Sequence, residues 1–186
     1  SDWSSDVCSS DLGGNITVAV GGGGRNGTFF TSVDGQNWSA YTPNLSTTSS
    51  ALRDVIWNGT RFISLGNYLG QGSIIATSTD GVNWTTQLDT LSNRTPTAKR
   101  MASIGNTVIC NTTLYSSDGG LTWTQKSDTF ADIIAASSTQ FFKCSNNIYT
   151  SGYSTNPTSL NYQISSDNGS NWTTYTWPAK IGRAHV

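Results

Sequence analysis

Four copies of one short pattern set the strongest limit on how this chain can fold. Each copy has a serine, an aspartate two residues later, one or two glycines and then a tryptophan. The copies occupy residues 32–38, 78–84, 116–123 and 165–172. Their tryptophans are about 40 to 50 residues apart, which is the length of one four-stranded blade of a β-propeller. We call each copy a box; together the four boxes divide the chain into four units.

The segments between the boxes are short and rich in β-branched and aromatic residues, with no helical period. In the second unit, the Asn-Gly pair at residues 58–59 predicts a two-residue hairpin turn. The predicted strands are 16–20, 28–32 and 38–41; 54–57, 61–65, 73–77 and 84–87; 100–104, 107–110, 113–117 and 123–126; and 132–136, 141–144, 160–165 and 172–177. The sequence therefore predicts an all-β partial propeller, with about three complete four-stranded blades plus one incomplete blade that lacks its first strand.

The two ends of the chain share nothing with the repeats. Residues 1–12 and 181–186 resemble translated sequencing adapters; the alternative is a pair of genuine disordered tails. Foreign segments are set aside before a fold is considered, which removes Cys8 and the only histidine, His185. We expect residues 13–180 to be a propeller fragment of a longer reading frame of metagenomic origin. Its blades are predicted at about 13–42, 51–88, 98–127 and 131–178.

The residue types of the box suit a tight turn. A carboxylate in a turn accepts several backbone N–H bonds, glycine supplies a positive φ, and tryptophan buries a large ring between strands or blades. In the first two boxes glycine directly follows the aspartate, whereas in the last two the box glycine comes two residues after it, which predicts a turn one residue longer. The predicted structural residues are Ser32, Asp34, Gly35, Trp38, Ser78, Asp80, Gly81, Trp84, Ser116, Asp118, Gly120, Trp123, Ser165, Asp167, Gly169 and Trp172.

The repeated pattern resembles the Asp-box, or bacterial neuraminidase repeat, of sialidase-type β-propellers. The resemblance covers residues 13–180. The last two copies fit the form S-x-D-x-G-x-x-W, and the first two look like a shortened variant found in bacterial and phage-associated propellers. The resemblance implies that the boxes are structural and lie away from the active face of the propeller.

Composition excludes several classes of function. The formal net charge is −1 and only 11% of residues are charged, so nucleic acid is not an expected partner. The chain has no apolar run long enough for a membrane span. No cofactor is expected, and no metal site, because the propeller body has no histidine. Surfaces rich in Ser, Thr, Asn and Gly are typical of extracellular β-rich proteins and virion parts, so we expect an extracellular or virion-associated protein.

Two cysteines, Cys110 and Cys144, lie in the propeller body. Aligned by repeat, they fall in the same position as Ala19 and Ser64, where side chains are small. A position that also accepts alanine and serine indicates a demand for low volume, which cysteine satisfies. The sequence favours free, buried thiols over a disulfide.

Any ligand site is predicted on the face opposite the boxes, where the connecting segments are long. Asp54, Arg100 and Asp132 begin the predicted innermost strands, so they are expected around the mouth of the central channel. Aromatic and polar groups there suit a glycan. The predicted ligand-binding residues are Asp54, Tyr68, Arg94, Arg100, Asp132, Tyr149 and Tyr153. The competing interpretation is that Asp54 and Asp132 merely start strands and accept bonds from local backbone.

The leading hypothesis is a non-catalytic structural or surface-binding propeller, with glycans or a cell-surface or virion partner as its ligand. It would belong to an extracellular bacterial or phage tail-associated protein. The alternative is a fragment of a secreted sialidase-like or other glycoside hydrolase. The sequence argues against activity in this fragment, since a sialidase uses a glutamate and the chain has none. Asp54 and Asp132 are the candidate catalytic pair. The distance between their carboxyl groups would decide whether hydrolysis follows an inverting or a retaining mechanism.

Overall fold

A computed structural model describes residues 9–21, 27–41, 50–68, 72–89, 100–110, 114–126, 133–144 and 161–176. Sixteen strands lie within these ranges. Sheet 1 contains β1 (Ser9–Gly13), β2 (Ile16–Gly21), β3 (Thr28–Ser32) and β4 (Ser39–Tyr41); sheet 2 contains β5 (Ser50–Trp57), β6 (Phe62–Tyr68), β7 (Gly72–Ser78) and β8 (Thr85–Asp89). Sheet 3 contains β9 (Met101–Ile104), β10 (Thr107–Cys110), β11 (Leu114–Ser116) and β12 (Thr124–Gln125); sheet 4 contains β13 (Ile133–Ala136), β14 (Phe141–Cys144), β15 (Asn161–Ser165) and β16 (Thr173–Thr176).

Each sheet is a four-stranded antiparallel meander in chain order. This arrangement confirms the predicted all-β, propeller-like architecture. Contacts between the first strands of successive sheets bring β1 to β5, β5 to β9 and β9 to β13. These strands are therefore the inner strands of the arc, as the sequence predicts. In the described part of the chain, no helix is long and apolar enough to cross a membrane.

The first sheet differs from the sequence-based prediction, because it has all four of its strands. The strand that the sequence analysis expected to be absent is β1. It consists largely of residues that resemble an adapter, and it pairs with β2, with Ser9 opposite Val20 and Gly13 opposite Ile16. Without β1, the edge of β2 would present unpaired backbone N–H and C=O groups. Any extended segment that reaches such an edge can pair with it. Gly14, at φ +61°, supplies the tight turn that returns the chain to β2.

Sheet 2 also departs from the predicted bounds. Strand β5 starts at Ser50 rather than at Asp54, and its register shifts between Leu52 and Asp54 in a bulge. The hairpin between β5 and β6 has four residues, 58–61, rather than two. Its turn is closed by the Asn58 N–H, which donates to the Arg61 carbonyl (3.1 Å), while the Asn58 side-chain oxygen accepts the Arg61 N–H (2.9 Å). An asparagine side chain that caps its own turn in this way favours the longer loop.

The hydrophobic core lies between the sheets, in three clusters. The first is formed by sheets 1 and 2, the second by sheets 2 and 3, and the third by sheets 3 and 4. Their fully buried members include Val18, Val20 and Phe29; Ile63, Leu65 and Val108; and Phe141. Because every sheet buries apolar side chains against its neighbour, stability depends on stacking, as it does in other repeat folds.

The small-residue position predicted from the repeats is occupied differently in sheet 4. Residue Thr17 lies opposite the box serine Ser32, and Phe141 lies opposite Ser165. Two residues further along, the structural equivalents are Ala19, Ser64, Cys110 and Lys143, so Cys144 lies one residue beyond that position. Lys143 is buried with its ammonium 4.0 Å from the centre of the Trp172 ring, a cation–π contact that accounts for a long side chain there. Cys110 is buried, Cys144 is half-buried, and neither forms a disulfide.

Candidate functional site

The four boxes share one hydrogen-bonded geometry. In each box, the serine hydroxyl accepts the N–H of the box glycine at 2.8–2.9 Å and donates to the aspartate at 2.7–3.0 Å. One aspartate oxygen accepts two further backbone N–H groups; in the second box these belong to Val82 and Asn83. The carboxylate therefore holds its own turn.

The boxes differ in length in the way that the glycine positions predict. The glycine donor lies three residues after the serine in the first two boxes and four residues after it in the last two. The extra residue has a positive φ: Gly119 is at +73° and Asn168 at +57°. Glycine and asparagine are the residues that tolerate this region best.

Hydrogen bonding lowers the pKa of all four box carboxyls. At Asp34 the backbone N–H and side chain of Asn37 hold the pKa well below its usual range, and at Asp80 those of Asn83 do the same. At Asp118 partial burial raises the pKa, but hydrogen bonds from Thr122 and Ser116 outweigh this and lower the pKa to about 2. At Asp167, bonds from Asn171 and Ser165 also lower the pKa to about 2. These groups are ionised at neutral pH and hold no proton to donate.

Each internal box packs on the sheet that precedes it. A Cβ added to Gly81 would lie 2.9 Å from Val18, and one added to Gly120 would lie 3.1 Å from Ile63. In the first of these interfaces the Trp84 ring stacks on Phe29, with ring centres 3.8 Å apart and planes at 14°. The boxes therefore hold successive sheets together, besides turning the chain within a sheet.

Asp54 lies midway along β5 and connects it to the first residues of two other inner strands, β1 and β9. Its Oδ1 accepts the Ser9 hydroxyl proton of β1 (2.6 Å), and its Oδ2 accepts the Met101 N–H of β9 (2.7 Å). The residue is only 5% exposed. Burial raises the pKa of Asp54, while hydrogen bonds from Ser9 and Met101 and the charge of Arg100 oppose that increase. Asp54 Oδ1 also accepts the N–H of Val55 (3.2 Å), a local bond of the kind that the competing interpretation of the sequence expects, whereas the bonds to β1 and β9 are not local.

Arg100 is the second predicted ligand-binding residue that the structure describes fully. Its guanidinium lies 3.9 Å from Asp54 Oδ1 and its side chain is half exposed. The structure thus brings Asp54 and Arg100 together at the start of β9. Tyr68 ends β6, but its side chain lies outside the described residues, as do Arg94, Asp132, Tyr149 and Tyr153 entirely. The proposed Asp54 and Asp132 pair therefore stays a prediction.

Sequence reasoning missed two polar residues of this region, both in β1. Besides Ser9, Asp11 joins sheets 1 and 2, since its Oδ2 accepts the Trp57 N–H (2.6 Å). Both residues belong to the segment that resembles an adapter, so they were set aside. In this segment the inward-facing positions are polar and the apolar Leu12 faces outward, so no hydrophobic alternation marked it as a strand. Within the described ranges, no group of three or more His, Cys, Asp or Glu side chains is placed to hold a metal ion.

Comparison with known proteins supports the fold. The chain is similar to the solved structure of a mutant of Trypanosoma rangeli sialidase displaying trans-sialidase activity, with a TM-score of 0.52 and 16% sequence identity. The match covers 90% of this chain but 37% of that chain, so this chain spans little more than a third of its length. No family model matches, and no curated protein matches. At this identity the likeness defines a class, a sialidase-like β-propeller architecture, and leaves the activity to be argued from the site.

Proposed function

We propose that this chain is a non-catalytic propeller scaffold that binds a surface glycan through the end opposite the boxes. One observation carries the proposal: every aspartate whose side chain is described accepts hydrogen bonds from backbone N–H groups. These residues are Asp11, Asp34, Asp54, Asp80, Asp118 and Asp167. In the described part of the chain, the carboxylates are thus committed to holding the fold.

Glycoside hydrolysis requires a different arrangement. A catalytic pair needs one carboxylic acid that keeps its proton and one accessible carboxylate, on opposite sides of the scissile bond. The four box carboxyls are permanently ionised near neutral pH. Asp54 has a raised pKa, which suits an acid, but both of its oxygens are occupied and its side chain is buried. The chain contains no glutamate that could substitute.

The binding end is assigned from the positions of the strands. Each box joins the third strand of its sheet to the fourth, as between β3 and β4, so all four boxes lie at the same end of the strands. Arg100 directly precedes β9 and so lies at the opposite end of that strand, beside Asp54 of β5. Arg100 is the predicted site residue that combines a described side chain with exposure to solvent, and its planar set of donors suits carboxylate or hydroxyl groups of a sugar. Composition favours an extracellular bacterial or phage tail-associated parent protein.

A second candidate is supported by the structural likeness to a sialidase and by the short span of that match. In this alternative the chain is a piece of a larger secreted glycoside hydrolase. The scaffold role of the described carboxylates is compatible with this alternative, because the rest of such an enzyme would supply the catalytic groups.

A glycan array and a panel of fluorogenic glycosides test the proposal together. We expect glycan binding without turnover. Arg100→Gln is expected to weaken glycan binding. Arg61→Gln, the same change at the box end of sheet 2, is the control and is expected to leave binding unchanged. Thermal unfolding of both variants confirms first that each is folded. Turnover by the unmodified chain that Asp54→Asn abolishes would contradict the proposal, as would binding that depends on Arg61 and not on Arg100.

A further inference from the structure

Two buried donors meet where the hairpin at residues 58–61 lies against the third box. They are Nδ2 of Asn58 and Nε of Arg61, and neither atom makes a hydrogen bond, although both are shielded from solvent. A Cβ added to Gly119 of the third box would lie 2.9 Å from the first nitrogen and 3.7 Å from the second, so both border the same point. Buried polar atoms without a partner are rare in folded proteins, because they raise the free energy of the folded state.

An amide at position 58 cannot satisfy all of its neighbours. Its oxygen Oδ1 accepts the Thr60 N–H (3.0 Å), the Thr60 hydroxyl (3.0 Å) and the Arg61 N–H (2.9 Å). Exchange of the amide oxygen and nitrogen would give Arg61 Nε an acceptor, but it would turn the amide protons towards these three donors. Asn106, with Oδ1 3.6 Å from the same point, is exposed and can present either end of its own amide. A carboxylate at position 58, an acceptor on both oxygens, suits every donor around it.

Asn58 is followed by Gly59, and an Asn-Gly pair can change its own side chain. The glycine nitrogen attacks the asparagine Cγ and loses its proton, the bond from Cγ to Nδ2 breaks, and ammonia leaves. The succinimide ring that forms then takes up one water molecule and opens to an aspartyl or an isoaspartyl residue. The reaction needs no oxidant, cofactor or second protein.

The hairpin supplies three conditions for this reaction. The donors on Oδ1 face the atom on which negative charge develops during the attack, as in an oxyanion hole. The leaving nitrogen Nδ2 has no hydrogen bond to lose. Among the hydrogen bonds of the described residues, none is donated by the Gly59 N–H. Gly59 is also exposed, and a Cβ added to it would meet nothing within 4 Å, so no packing holds the attacking nitrogen away from Cγ.

A second Asn-Gly pair, at residues 168–169, is held differently. The Gly169 N–H donates to the buried Ser165 hydroxyl (2.9 Å), and a Cβ added to Gly169 would overlap the Ile109 side chain. Attack by this nitrogen therefore requires the fourth box to open first. The remaining pair begins at Asn26, outside the described residues.

We propose that Asn58 converts to aspartate in the folded protein and that the new carboxylate pairs with Arg61 beside the third box. One carboxylate oxygen keeps the bonds from Thr60 and from the Arg61 N–H. The other takes the place of Nδ2 and accepts from the Arg61 guanidinium. Isoaspartate carries its backbone through the side chain and has no carboxylate at this place, so the fold favours aspartate.

Tryptic peptide mapping after incubation at neutral pH tests the conversion, with digestion in mild acid to suppress further reaction. Cleavage after Arg53 and Arg61 isolates residues 54–61, and cleavage after Lys143 places residues 168–169 in another peptide. In the folded chain, Asn58 is expected to lose its amide about tenfold faster than Asn168, because the Gly169 N–H must first leave its acceptor.

The same incubation in urea is the control for the intrinsic reactivity of the two pairs. There the two rates are expected to be similar, and a smaller share of the product at position 58 is expected to be normal aspartate. An Asn58 that keeps its amide in the folded chain overturns the proposal. So does a ratio of the two rates that urea leaves unchanged.

Substitution tests the product. Asn58→Asp is expected to raise the urea midpoint above that of the freshly prepared unmodified chain, and Arg61→Gln in the same chain is expected to remove the gain. Asn15→Asp, the same change at an exposed residue of the hairpin between β1 and β2, is the control and is expected to give no gain. An Asn58→Asp variant without the gain, or a gain that persists with Arg61→Gln, contradicts the pairing with Arg61.

Discussion

Asp54 Oδ2 lies 2.7 Å from the backbone nitrogen of Met101, so a carboxylate of sheet 2 accepts a hydrogen bond from the first residue of sheet 3. The same side chain accepts the Ser9 hydroxyl proton of sheet 1. One buried group thereby connects three sheets, at the starts of β1 and β9. Neighbouring sheets are thus connected at two levels along their strands. Asp54 connects the inner strands, and the packed boxes connect the sheets at the box end.

Replacement of this carboxylate is expected to be costly. Asp54→Asn turns one acceptor oxygen into a donor, which leaves either the Met101 N–H or the Ser9 hydroxyl without its acceptor, so we expect a loss of about 1–3 kcal/mol in the free energy of unfolding. Urea denaturation measures it. Arg100→Gln removes a long ion pair in which the guanidinium is half exposed, and it is expected to cost less than about 1 kcal/mol. Equal losses for the two variants would show that the ion pair, rather than the hydrogen bonds, carries the effect.

The box serine gives a prediction with a neighbouring control. Ser116 is buried, accepts the Gly120 N–H and donates to Asp118, so Ser116→Ala leaves a buried N–H without its acceptor and is expected to destabilise the fold by about 1–3 kcal/mol. Ser117→Ala, at the exposed next residue, is expected to change stability by less than about 0.5 kcal/mol. Thermal and urea unfolding of both variants measure the difference. A Ser117 variant as unstable as the Ser116 variant would contradict the role assigned to the buried hydroxyl.

The stacking of box tryptophans on the preceding sheet predicts unequal effects for equivalent residues. Trp84→Ala removes the ring stacked on Phe29 and is expected to cost about 3 kcal/mol. Trp38→Ala removes a partly exposed ring and is expected to cost about 1 kcal/mol. Urea denaturation of both variants measures the difference. Equal losses would show that packing between sheets does not depend on the tryptophan.

The box carboxyls predict acid sensitivity. Their pKa is lowered in the folded state, to about 2 for Asp118 and Asp167, from an ordinary value of 3.8. Ionisation therefore stabilises the folded state above about pH 4, and this contribution is lost as the pH falls towards 2. Asp54 acts in the opposite direction, because its pKa is raised and its protonation therefore favours the folded state. Since four box carboxyls oppose this one group, we expect the net stability to fall in acid.

Urea midpoints at pH 6, 4, 3 and 2.5 measure this dependence. They are expected to change little between pH 6 and 4 and to fall steadily below pH 4. Asp118→Asn removes one titrating group and is expected to make the fall shallower. A midpoint that rises between pH 4 and 2.5, or a slope that this substitution leaves unchanged, would contradict the assignment to the boxes.

The parts of this fold that the sequence predicts are local ones. Each box carries its serine, aspartate and glycine within a few residues, so its hydrogen bonds follow from the pattern. The hairpin at residues 58–61 was mispredicted because the Asn58 side chain stabilises a longer turn. Lys143 was missed because alignment by residue type placed Cys144 in its position, whereas strand register decides which side chain faces the core.

The site at the other end was harder to predict. The partners of Asp54, Ser9 and Met101, are 45 and 47 residues away in sequence, and only the stacking of sheets brings them together. A sequence pattern indicates that Asp54 lies near an inner strand, but it does not reveal that both of its oxygens are occupied. That distinction separates a structural carboxylate from a candidate catalytic one.

Release of a fluorogenic aglycone from a panel of glycosides, including a sialoside, tests the central claim most directly. The claim is that the described carboxylates hold the propeller together and do not catalyse. The account predicts no release above the buffer rate for the unmodified chain, although the same preparation binds glycans on an array. Release that follows a bell-shaped pH profile and disappears in a folded Asp54→Asn variant would contradict it.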